Sequence, residues 1–193
     1  MLDSPAILGY VAHAVNSASV PADSFQMRLS TVTYAVILVS VLLWCAGIIL
    51  APLCVAEGGD AAVVGRAAYQ MYHGICHQVP ERSFNLLGHP LGVCVRCCSI
   101  YFAFLAGTLL FPFLPAFLRR TASPRILLAA ALLPMVVDAT WIGSALYHTT
   151  TLTRVLTGGL FGLLMSLALL PEALQAVREL CSTPHQQKGL SDA

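Results

Sequence analysis

Three thiols, Cys76, Cys94 and Cys97, carry the strongest chemical signal in the chain. Cys94-Val95-Arg96-Cys97 is a C-x-x-C, and a turn or helix start brings two such sulfurs close enough to grip one metal ion. Cys76 and His77 stand 18 and 17 residues upstream of Cys94, inside the spacing range of paired zinc ligands. With one imidazole the three thiols would complete a tetrahedral set suited to zinc, with iron as the alternative. His77 is one candidate for the fourth position. His73, one helical turn before, is its rival, because adjacent residues rarely both reach one ion. Cys98 points away from Cys97 on a helix and reads as packing, and His89, between Gly88 and Pro90, reads as a surface histidine.

The same residues allow a second chemistry. A thiol near a helix N-terminus and beside a cation, here Arg96, has a depressed pKa, because both favour the thiolate. Cys94 and Cys97 would then cycle between dithiol and disulfide, with Cys76 as exchange partner and a quinone as electron acceptor. Relays of this kind use two thiol pairs, and this stretch offers one pair plus one.

Asp138 and Arg154 are the other residues that ask for a chemical reason. An ionisable group in lipid needs a partner or a function. A hairpin between the last two apolar runs would bring Asp138 and Arg154 toward each other, either as a structural ion pair or as the floor of a site roofed by the Cys/His stretch. Arg82 and Arg96 would join that polar cluster. Transport past Asp138 and Arg154 is a third possibility that rests on intramembrane charge alone.

Elements that position these groups must lie in a membrane. The chain of 193 residues is 58% hydrophobic and 10% charged, against roughly a quarter charged in soluble domains. Four apolar runs read as transmembrane helices, at about 33–56, 99–118, 126–146 and 155–170, each long enough at 1.5 Å per residue or nearly so for the roughly 30 Å hydrocarbon core. The expected class is therefore all-α and integral to the membrane, with a four-span domain over 33–171 and a structured outer Cys/His loop over 57–98. Residues 1–32 form an N-terminal tail, in which Ile7, Leu8, Val11, Ala14 and Val15 have the spacing of a short interfacial helix. Residues 172–193 form a polar cytoplasmic tail. No positive n-region precedes an apolar run, so a cleaved signal peptide is not expected.

Arg119, Arg120 and Arg125, in the tight turn between the second and third runs, place that turn inside by the positive-inside rule. Both termini then lie in the cytoplasm, the membrane is the inner one, and the Cys/His stretch faces out. A net charge of +1 with scattered basic residues excludes a nucleic-acid partner. No phosphate-binding loop, nucleophile elbow, metalloprotease helix or haem-attachment motif is present, and seven cysteines in a multi-span chain are not a secreted disulfide framework.

Cys76-His77-Gln78-x-Pro80-Glu81-Arg82-Ser83-Phe84, then Cys94-Val95-Arg96-Cys97, then Ile100-Tyr101, resembles a family of small prokaryotic membrane proteins defined as a domain of unknown function. The resemblance runs from about Tyr69 to Gly162 and includes Asp138, Thr140, Arg154, Thr157 and Gly158. Ser99 stands where that family commonly has glycine, and Trp141 where it commonly has glutamine. It implies no activity. Over about ten residues around Cys94-x-x-Cys97 and Ile100-Tyr101, the chain is also similar to the disulfide bond-forming protein B and vitamin K epoxide reductase families. Those are four-helix thiol oxidoreductases that pass electrons to a quinone. Their second cysteine pair has no counterpart between Tyr147 and Thr153.

The function expected from these residues is zinc binding at the membrane face by Cys76, Cys94, Cys97 and one histidine. The lipid bilayer and other subunits of a membrane complex are the expected partners. The alternative is the quinone-linked thiol oxidoreductase.

Overall fold

The computed structural model describes residues 22–115, 124–140 and 150–190, with side chains over 27–115, 125–138 and 150–180. The N-terminal segment with Ile7 to Val15, the Arg119-Arg120 turn and the Trp141–His148 stretch lie outside the described residues.

The chain is mainly helical. Helix α1 is Ala22–Glu57, α2 Gly59–His73, α3 Val95–Leu110, α4 Pro124–Thr140 and α5 Thr151–Leu190. Two short 3-10 turns, Pro80–Arg82 and Phe111–Phe113, complete the helical part. Strands β1 (Asn85–Leu86) and β2 (His89–Pro90) pair antiparallel, a small departure from an all-α chain. Their two-residue loop is Leu87-Gly88, both at positive φ (53° and 81°), as a tight hairpin whose turn follows the strand twist requires.

Three described helices are long and apolar enough to cross a membrane: Met27–Glu57, Val95–Phe113 and Thr151–Leu180. No more than 28% of the most apolar window of any of them is buried within the protein. Side chains such as Val36, Leu43, Leu110 and Leu156 are thus left for lipid to cover. The third apolar run of the sequence appears as α4, 17 residues to the edge of the described segment.

Two units can be separated by their packing, Val36–Ala173 and a second made of Met1–Ala35 with Leu174–Ala193. In the second, Arg178 Nε donates to Ser30 Oγ at 2.7 Å, and Gln175 Nε2 donates to Glu179 one turn on. The expected polar tail is thus helical through Leu190, because Pro171 caps no break in α5.

Val36–Ala173 contains the packing that matters for the site. Gly58 and Gly59, both at positive φ, reverse the chain after α1, and α2 runs back along the last turns of α1. Gly65 permits this: a Cβ there would lie 2.8 Å from the Ala51 carbonyl oxygen. At the far end of α2 the fully buried Tyr72 donates to the Trp44 carbonyl at 2.7 Å. The sequence reads 57–98 as a loop; α2, the hairpin and the first turn of α3 occupy most of it.

Helices α3 and α5 approach closely. A Cβ on Gly158 would stand 2.7 Å from the Arg96 carbonyl oxygen, and one on Gly162 would strike the Ile100 carbonyl. Farther along, Gly107 of α3 lies against Ser166 of α5. Gly158, Gly162 and Ser166 recur every four residues, the small-residue stripe that lets two membrane helices pack backbone to backbone. Contact positions rise together on both helices, so α3 and α5 run parallel.

Candidate metal centre

Helix α3 begins earlier than its apolar run, at Val95, with Cys94 as N-cap in extended conformation (φ −67°, ψ 162°). Cys94 and Cys97 therefore occupy the cap and the first turn, where free backbone N–H groups and the helix dipole favour negative charge. Cys76 arrives from the other side. The chain leaves α2 through a tight turn in which the Cys76 N–H donates to the Tyr72 carbonyl at 3.0 Å. Its sulfur accepts the Cys94 N–H at 3.2 Å.

One sulfur from each of Cys76, Cys94 and Cys97 lies within 4.8 Å of the other two. Around a tetrahedral ion with bonds of about 2.3 Å, sulfurs stand roughly 3.8 Å apart, so small side-chain shifts would bring these three to the spacing such an ion needs. Cys76 is buried, while Cys94 and Cys97 are half-buried. The cluster rests on a small apolar core of Ile48, Tyr72, Val93 and Cys98, with Trp44 and Tyr101 against it. Trp44 meets Tyr72 and Tyr101 edge-on, at ring centroid distances of 5.0 and 5.7 Å.

The surroundings of Cys94 favour its thiolate. The Cys97 thiol hydrogen-bonded to its sulfur lowers its pKa most; burial opposes this, and the Cys97 amide, the Cys76 thiol and the Arg96 amide add to the lowering. The result is a thiol brought down from 9.0 to about 5. A thiol so acidified, flanked by two others, would suit metal capture and thiol exchange alike.

The loop that carries Cys76 is fixed by Gln78, whose Nε2 donates to the carbonyls of Tyr69 (2.8 Å) and Gly92 (2.6 Å). Gln78 takes φ 49° to do so, an uncommon conformation for a residue with a side chain. The Gly92 N–H donates to the Ile48 carbonyl at 3.2 Å, and the Tyr69 hydroxyl donates to the Pro90 carbonyl. Gln78 belongs to the motif read in the sequence, but nothing in its type pointed to this bridging role.

Histidines take other places. His77 is exposed beside the buried Cys76. His73 is exposed and lines a recess with Arg66, Tyr69, Gln70 and Gln78. Among the described residues, the cluster of potential ligands is the three cysteines without an imidazole. His89 lies in β2 and Arg82 is exposed in the Pro80–Arg82 turn.

Asp138 gives the main difference in the polar cluster. The sequence sets it opposite Arg154; the salt bridge runs to Arg96, between the two cysteines of the C-x-x-C. Position 138 is on the last turns of α4, which end beside the start of α3, out of reach of any argument from a hairpin between α4 and α5. Arg154 lies in the first turn of α5, its N–H donating to the Thr150 carbonyl at 3.2 Å. Thr150 and Thr153 cap that helix reciprocally, each hydroxyl accepting the other's N–H.

The family model described as "Predicted membrane protein (DUF2085)" matches residues 76–168, starting at the first cysteine of the cluster and ending in α5. An uncharacterized protein of Methanocaldococcus jannaschii is 33% identical over 141 residues, covering 72% of this chain and 90% of that protein. An uncharacterized protein of Methanothermobacter thermautotrophicus is 34% identical over 67 residues, covering 33% of this chain and 56% of that protein. No solved structure matches. With the archaeal likeness extending over nine-tenths of its first relative and the family match spanning Cys76 to Ala168, the chain belongs to the DUF2085 family of membrane proteins.

Proposed function

We propose that this membrane protein binds one zinc ion through Cys76, Cys94 and Cys97 at the outer face of the inner membrane, as an accessory subunit of a larger membrane complex. The observation that carries the metal reading is the convergence of three sulfurs from segments 18 residues apart. Thiolate donors select zinc and other thiophilic ions over hard cations. A fourth donor is a water or an imidazole brought in from His77 or His73. Metal binding would lock the turn after α2 onto the start of α3, and structural zinc contributes on the order of 10 kcal/mol to local folding.

The topology proposed is four spans with both termini cytoplasmic. It is supported by the parallel course of α3 and α5: two parallel spans need a return crossing between them, and α4 is the apolar helix available for it. The accessory role is supported by the protein's small size and lipid-facing surface.

The test is elemental analysis of detergent-purified protein with thiol counting before and after chelation. About one zinc per chain, lost in Cys94→Ser, supports the proposal. Absence of metal, with Cys94 and Cys97 joined in a disulfide, sinks it.

That second outcome would favour a quinone-linked thiol oxidase, for which the lowered Cys94 pKa speaks. Cys94 and Cys97 would lose two electrons and two protons to form a disulfide, and a quinone would take both to become the quinol. Cys76 would accept or donate the thiol exchange.

A further inference from the structure

Arg96 stands between two cysteines of the cluster, and Asp138 of α4 holds its guanidinium in an ion pair. Their side chains are 18% and 3% exposed. Arg96 has little freedom otherwise, because α5 lies against its backbone carbonyl and its Cγ at Gly158. The turn that carries Cys94 and Cys97 is thus clamped from α5 through the backbone and from α4 through the side chain.

The pair is half-satisfied. Among the described residues, Asp138 meets Arg96 through Oδ2 only, and Asp138 Oδ1 and Arg96 Nε are buried without a hydrogen-bond partner. Burying two charges costs several kcal/mol per ion, which is recovered only when the remaining lone pairs and protons are also satisfied. Two orphaned polar atoms add to that cost. A pair built for stability alone would be bidentate or replaced by apolar packing. Its site beside the C-x-x-C gives the charge another purpose, as is the rule for ionisable groups at membrane depth.

We infer that Asp138 is a positioning residue for the three-thiol site, acting through Arg96 on the turn that carries Cys94 and Cys97. The inference deepens the metal-binding reading and rests on it for its first readout. Residues that orient metal ligands without touching the ion change affinity by 10–100-fold when replaced. The orientation also ties the site to α4, so a displacement of α4 in the membrane alters how the thiols are presented.

The experiment compares wild type, Asp138→Asn and, as control, Glu172→Gln on the exposed side of α5. Zinc affinity is read by chelator competition, and cobalt(II) substituted for zinc reports ligand geometry through its absorption bands. Expected is a 10–100-fold loss of zinc affinity and shifted cobalt bands in Asp138→Asn, with Glu172→Gln at wild-type values. Affinity within twofold of wild type with identical cobalt bands overturns the inference. Should Asp138→Asn not fold, Arg96→Lys, which keeps the charge but loses the planar fork, is measured the same way; unchanged bands there overturn it. Should wild type bind neither metal, the metal reading fails by itself, and the iodoacetamide alkylation rate of Cys94 at pH 7 decides the inference. A rate changed more than threefold in Asp138→Asn sustains it, and an equal rate overturns it.

Discussion

The backbone N–H of Cys94 donates to the Cys76 sulfur at 3.2 Å across 18 residues of chain. This bond orients Cys76 by itself, because a sulfur accepting the amide of the α3 N-cap residue faces the end of the helix where Cys94 and Cys97 lie. On the proposed metal site, Cys76 would then have two tasks, ligand and anchor.

Cys76→Ser should therefore lose more than a ligand. Serine is shorter and harder, so it neither reaches the ion as well nor selects a thiophilic one. Zinc affinity is expected to fall by more than the 10–100-fold typical of residues that only orient ligands. Cys98→Ser, in the apolar core beside the cluster, should instead leave stoichiometry at wild-type level. Equal zinc content of wild type and Cys76→Ser by elemental analysis would remove Cys76 from the ligand set.

Alkylation of Cys94 in the metal-free protein should follow a pH profile displaced to the acid side. An ordinary thiol gains reactivity up to pH about 8.5; Cys94, lowered to about 5, should already be near its plateau at pH 7. The sign for stability follows from the same shift. A folded pKa below the unfolded one means that the unfolded chain binds more protons between the two values. The Cys94 contribution is complete above pH 9.0 and is lost as the pH falls toward about 5. Mass spectrometry of the labelled peptide across pH 4–9 checks the profile, and a midpoint near 8.5 would contradict it.

His77→Ala and His73→Ala test the fourth coordination position. Both side chains are exposed and stand outside the three-sulfur cluster. Each single variant is expected to keep zinc affinity within about threefold, water serving as fourth donor as it does in three-ligand zinc sites. A tenfold or larger loss in one of them identifies that imidazole as the ligand.

Hydropathy made the membrane helices legible, since length and apolarity are local properties; the run at 33–56 lies inside α1 and that at 155–170 inside α5. The thiol cluster was half legible. Spacing gathers Cys94 and Cys97 by itself, whereas the approach of Cys76 depends on the Gln78 bridge and the Tyr72 turn, which are tertiary. Helix α2 was hidden because Gly59–His73 is neither apolar enough for a span nor set off by strong caps; it is held as a helix by packing on α1 through Gly65 and Tyr72. Asp138 shows the limit most clearly. Chain proximity favoured Arg154, and the partner found is 42 residues away on another helix, because helix–helix packing, not the nearest connection, decides which groups meet in a membrane.

That packing can be tested at adjacent glycines of α5. A Cβ on Gly158 would come 2.7 Å from the Arg96 carbonyl oxygen and 3.3 Å from Arg96 Cγ, whereas a Cβ on Gly159 meets nothing within 4 Å. Gly158→Ala must push α5 away from α3 at the level of the C-x-x-C, with a loss in the 1–3 kcal/mol range of overpacked contacts. Gly159→Ala changes only helix propensity and should be neutral or stabilising by about 0.5–1 kcal/mol. Thermal unfolding in detergent, followed by circular dichroism, should separate the two in opposite directions. Zinc affinity should follow the same order, because the displaced residue is Arg96. Two alanine variants of equal stability would show that α3 and α5 do not make this contact, and with it would fall the parallel arrangement that argues for a return span through α4.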